Sequence, residues 1–93
     1  MIDMRSQMLA ARAAALFASD LPAGSRPSGP DIEAAIAGAV RACGGVHGCV
    51  AVMAAAYGDY PEIAASRMRW ARGVVVTVYE ARSEAPGREL MAA

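Results

Sequence analysis

From His47 to Arg72 the chain reads HGCVAVMAAAYGDYPEIAASRMRWAR, and this run narrows the possible folds more than any other. Apolar residues recur at helical spacing on both sides of Tyr57-Gly58-Asp59-Tyr60, which predicts two helices joined by a tight turn. Ala54 stands four residues before Gly58 and Ala64 six residues after it. Small side chains there let two helices cross closely, and a turn glycine accepts the positive φ that a Cβ resists. Val50, Met53, Ala54 and Tyr57 share a face of the first helix that is expected to sit over the second helix. Asp59 is placed to cap the next helix, with Glu62 three residues on, and Pro61 fits a first turn, where no amide hydrogen is needed.

After the turn comes Ser66-Arg67-Met68-Arg69-Trp70-Ala71-Arg72. This string, with Gly58 before it, resembles the last helix pair of sigma-factor region four. There a turn glycine is followed, eight to nine residues on, by Ser-Arg-Leu-x-x-Ala-Arg. The resemblance covers residues 47–72 only, about a quarter of the chain. It implies a helix-turn-helix that lays the start of its second helix in the major groove of duplex DNA. Carried across by position, the groove-facing set is Tyr60, Glu62, Ala65, Ser66 and Arg69, with Arg72 one turn further. Arg69 is the side chain able to grip guanine through two hydrogen bonds, and Ser66 can bond a base or a phosphate. Arg67 and Arg72 would hold the backbone. The DNA-binding residues so implied are Tyr60, Ser66, Arg67, Arg69 and Arg72. Pro61, Glu62 and Ala65 depart from the pattern, because sigma-like motifs usually carry polar or basic residues there. No counterpart of a promoter-melting region is present, so the chain is not itself a sigma factor.

Ahead of this pair, residues 3–18 place Met4, Met8, Leu9, Ala11, Ala15 and Leu16 near one helical face, with Arg5 and Arg12 opposite. A methionine stripe of this kind forms an adaptable core or dimer face. LPAGSRPSGP follows, and its three prolines, two glycines and two serines leave only a loop. Such a tether lets the first helix act as an arm exchanged between subunits. Asp31 opens the next helix, whose apolar face is Ile32, Ala35, Ile36, Ala39 and Val40, with Glu33 and Arg41 outside and Gly44-Gly45 as its stop. The last helix is expected from Pro61 to Arg82, with Ala64, Met68, Ala71, Val75 and Val78 inward. Within it, Gly73 to Tyr79 is β-branched enough for a strand. No second strand-like run exists to pair with it, so continued helix is preferred. SEAPGRELMAA is expected to fray.

Composition sets the remaining bounds. At 93 residues the chain is one small domain with a thin, alanine-rich core, and such chains gain stability from a second subunit. Nine Arg and no Lys balance nine acidic residues. The zero net charge excludes an indiscriminate nucleic-acid binder but not a local basic face. No apolar run reaches the length of a membrane span. Arg12 interrupts the apolar start and Asp3 spoils a basic one, so a cytoplasmic location is expected rather than a signal peptide. Cys43, His47 and Cys49 form a C-x3-H-x-C loop with three of the four ligands zinc requires and without its usual spacing. A disulfide disagrees with the compartment, and His47 and Cys49, two apart, point to different sides of a helix. No cofactor, metal or catalytic group is expected.

The expectation is therefore an all-α bundle of about four helices containing a helix-turn-helix, dimeric and of bacterial origin. Residues 1–20 form the N-terminal helix, 21–30 a linker, 31–82 the helix-turn-helix domain and 83–93 a flexible tail. The function expected is transcriptional regulation through duplex DNA. The alternative is a helical protein-interaction module, binding a regulator or RNA polymerase, that keeps the fold without the readout.

Overall fold

The computed structural model describes residues 4–92, with side chains through residue 79. Among these residues the chain is entirely helical, in four elements: α1 (Met4–Phe17), α2 (Gly29–Cys43), α3 (Val46–Asp59) and α4 (Pro61–Ala92). The β-branched run at Val74–Val76 continues α4, as the lack of a second strand requires. The helical backbone passes the expected end at Arg82 and reaches Ala92, while side chains of the expected tail lie outside the described residues.

The organising element is α1, which packs against each of the other three helices. Ala13, Ala14, Ala15, Leu16 and Phe17 are all buried, so the end of this helix is enclosed on every side. Ala15 meets Ala39 of α2 and Cys49 of α3, whereas Leu16, next in sequence, meets Ala71 and Val75 of α4. Ile36 reaches both groups and joins them into one core. Of the expected apolar face, Ala15 and Leu16 are buried and Leu9 is half-buried, whereas the two methionines lie outside this core. Met4 is 75% exposed and Met8 45%, while the alanines beyond them carry the packing. Alanine wins because three helices can converge on it closely enough to exclude water. Arg12 is also drawn inward, with its guanidinium 3.9 Å from the ring centre of Tyr79.

Local chemistry sets the helix ends. The α1 terminus turns through Ser19, whose Oγ donates to the Leu16 carbonyl at 2.6 Å. Ser28 caps α2 by accepting from the Asp31 amide at 3.2 Å, with Pro30 and Asp31 in the first turn. At its other end Gly44 is left-handed (φ 76°) and donates to the Arg41 carbonyl. Gly45 donates to Val40 at 2.8 Å, which completes a Schellman motif. The axes of α2 and α3 turn by 88° at this corner. The expected inner faces of α2 and α4 hold: Ile32, Ala39, Ala64, Ala71 and Val75 are buried, and Ala35, Ile36, Val40, Met68 and Val78 partly so.

The junction of α3 and α4 differs from expectation. Helix α3 continues through Gly58 and Asp59, and Tyr60 alone is non-helical (φ −142°, ψ 69°). Gly58 does not take a positive φ. Pro61 explains the break, since the residue before a proline is pushed out of helical geometry. Asp59 thereby ends α3 instead of capping α4, and the Tyr60 carbonyl accepts the Ala64 amide at 2.9 Å.

Candidate interaction surface

Helix α4 presents Glu62, Ser66, Arg69 and Gly73 along its outer side at one-face spacing, all exposed. Arg72 is exposed nearby, and Tyr60, at 66%, stands free at the head of the helix. The structure thus gathers Ser66, Arg69 and Arg72 on accessible α4 surface with Tyr60 before them. Ala65 is half-buried.

Arg67 is the exception among the expected DNA contacts. Its Nε donates to the Phe17 carbonyl at 2.8 Å and its Nη2 to the Ser19 carbonyl at 2.9 Å. These acceptors lie at the C-terminal end of α1, where the helix dipole favours a cation. The guanidinium also lies 5.0 Å from the Trp70 ring centre and 5.7 Å from that of Phe17. Burial lowers its pKa from the usual arginine value. A side chain so held fastens α4 to α1 and is not presented to a phosphate. Trp70 secures the α1–α2 loop in the same region, its indole N–H donating to the Ser25 carbonyl at 2.8 Å. Beside it runs an open groove of about 510 Å³, lined by Arg26, Pro27, Arg69, Trp70, Val74 and Val78 among others.

The cysteine loop is structural. Cys49 is fully buried and its Sγ donates to the Ala39 carbonyl at 3.6 Å. Burial first, then hydrogen bonding and charge from Cys43, push its thiol up to about 11. Such a thiol remains protonated and unreactive at neutral pH. Cys43 is half-buried and His47 exposed. Among the described residues no three His, Cys, Asp or Glu side chains converge to hold a metal ion.

The feature that sequence reasoning passed over is the outer face of α3. Its inward residues are Cys49, Met53 and Ala56. Of the face expected to pack, Met53 is half-buried and the Tyr57 ring stacks on Phe17 of α1 with 6.2 Å between ring centres, whereas Val50 and Ala54 are exposed. The helix is turned by about one residue from that expectation, with the Cys49 sulfur against the α2 backbone. Val46 and Val50 are exposed on one flank of the outer side and Val52 on the other, separated by Ala51, Ala54, Ala55 and Gly58. Tyr60 and Ile63, the latter 69% exposed, extend the surface into α4. Between His47 and Asp59 no residue of α3 carries a charge. That uncharged stretch was the available signal: a helix apolar all round is expected to be covered all round. Among the described residues no single helix is long and apolar enough to cross a membrane; α2 and α3 pass only as a pair, across their 88° bend.

No protein-family model matches the chain, and neither a curated protein nor a solved structure does.

Proposed function

We propose that the chain is a helical protein-interaction module whose docking element is α3. The observation that carries this reading is the uncharged outer side of α3, where Ala51, Ala54 and Ala55 lie exposed between Val46 and Val50 on one flank and Val52 on the other, with Ile63 exposed on α4. A contiguous exposed apolar surface on a small domain marks an association site. The interior is already filled by α1, so this face has no partner left within the described residues. Ala54→Glu puts a charge on the exposed side of α3 beside Val50 without touching the core. The folded variant should lose its partners, whether further copies or other proteins, as read by light scattering and by affinity capture beside the unaltered chain. Unchanged association in the variant would remove the reading.

A second reading keeps duplex DNA as the partner, and one observation favours it: Ser66, Arg69 and Arg72 are all exposed on α4. Against it stand zero net charge, the inward commitment of Arg67, and Glu62 on the same face. Selection from a random duplex pool decides it. An enriched site whose affinity drops by about 1–3 kcal/mol in Arg69→Ala would support DNA recognition, and absence of enrichment at low salt would end it.

A further inference from the structure

We propose that the groove between the α1–α2 loop and α4 binds an anionic amphiphile, a single carboxylate on an aliphatic chain of medium length. The site shares no residue with the α3 surface. Two cationic side chains line it, Arg26 from the loop and Arg69 from α4, and among the described residues no acidic side chain does. Both arginines are exposed, and among the described residues neither has an ion pair or hydrogen bond. The groove is also preformed, because the Trp70 indole N–H donates to the Ser25 carbonyl at 2.8 Å and holds the loop against α4. Ser25 itself lines the groove, and its Oγ is buried with no hydrogen-bond partner among the described residues. A buried hydroxyl left unbonded is costly and points to a missing acceptor. A carboxylate held by Arg26, the next residue, supplies one.

The layout of charge along the groove selects an amphiphile over a compact anion. Its α4 wall runs from Arg69 and Trp70 past Gly73 and Val74 to Val78, about 12 Å of helix at 1.5 Å per residue. The Trp70–Ser25 bond sets Ser25 and Arg26 at the same end as Arg69. Beyond them Val74 and Val78 add apolar wall without charge, both half-buried. Gly73 leaves the middle open, since a Cβ there would meet nothing within 4 Å. The volume of about 510 Å³ falls within the roughly 300–1,000 Å³ usual for ligand sites. Guanidinium groups suit a carboxylate, whose two oxygens accept from their paired N–H donors. A free phosphate would use the arginines and leave the valines bare, whereas an acyl chain covers them.

Trp70 is the one tryptophan of the chain, so its fluorescence reports on this wall. The test titrates the full chain at neutral pH with octanoate below its micellar range, beside octanol, acetate and inorganic phosphate. The expected result is a saturable change in emission with octanoate, a response to octanol roughly tenfold weaker, and none to acetate or phosphate at matched concentration. Arg26→Gln and Arg69→Gln should each weaken octanoate roughly tenfold and leave octanol unchanged. Gly73→Leu puts a side chain into the open middle and should lose both ligands, although it favours the helix. Circular dichroism verifies the fold of each variant, and Ala54→Glu on α3 should bind as the unaltered chain does. Equal affinity for octanoate and octanol overturns the proposal, because the arginines then contribute nothing. Phosphate binding as tightly as octanoate overturns it from the other side. A response that persists in all three groove variants places the ligand elsewhere and rejects the site. So does the lack of any saturable change, including in a chain that binds phosphatidylglycerol vesicles instead.

Discussion

The two junctions flanking α3 solve the same problem by opposite means. At Gly44-Gly45 the chain turns by 88°, and the turn cannot be built from other residues. Gly44 is left-handed, and Gly45 (φ 122°, ψ 173°) occupies a region essentially closed to side chains. A Cβ on Gly48 would lie 1.8 Å from the Cys43 carbonyl oxygen. At Tyr60 the break is a single residue set by the following proline, and Gly58 beside it is an ordinary helical residue with open space around it. The second junction can be plain because Arg67, two turns later, locks α4 onto the end of α1. A glycine is thus demanded by the backbone that approaches it, and its presence between two helices does not establish a turn.

Gly48→Ala is the strongest test of this contrast. It should cost on the order of 3 kcal/mol or more, or prevent folding, because the clashing atom is backbone and the corner must open. Near-normal stability in a urea titration would show that the corner yields. Arg67→Met keeps the apolar stem but leaves the Phe17 and Ser19 carbonyls without their cation. A loss of about 2–4 kcal/mol is expected in the same titration, and a smaller one would mean that packing alone holds the plain junction. The corner also has a pH signature. With the Cys49 thiol raised to about 11 in the fold, the unfolded chain releases its proton first. Stability should be intact below about pH 8.5 and fall as pH rises towards 11, by at most about 1.4 kcal/mol per unit. Cys49→Ala should abolish that slope, and a slope persisting in the variant would assign it elsewhere. Gly58→Ala should have the smallest effect, a gain of up to about 1 kcal/mol seen as a rise of a few degrees in Tm at concentrations too low for association. Destabilisation would restore Gly58 to the role of a required turn residue.

The helices and the inner faces of α2 and α4 were legible in the sequence, because apolar spacing at Ile32, Ile36 and Ala39, and at Ala64, Ala71 and Val75, reports directly which side is buried. The centre of the fold was not. Met4 and Met8 outweigh alanine on any scale of side-chain hydrophobicity, yet Ala13–Phe17 form the core, since close approach of three helices is a property of the assembled bundle. The candidate surface was half legible. Tyr60, Ser66, Arg69 and Arg72 are outside, as one-face spacing implied. Arg67 could not be assigned from its own neighbourhood, because its acceptors stand 50 and 48 residues away in the chain. The α3 face was misplaced by about one residue's rotation, because Cys49 packs with Ala15 and Ala39 of two other helices, which periodicity within α3 does not encode.

The central position of α1 also bears on how the chain is made. Its terminal carbonyls receive their cation only when Arg67 has been synthesised, 50 residues after Phe17. At ordinary elongation rates that interval is about 3–10 s, long compared with the microseconds in which a helix forms. Throughout it, Ala13–Phe17 lack the α4 residues that later seal them. The core helix is thus made well before the element that seals it, and the bundle can close only once α4 is available.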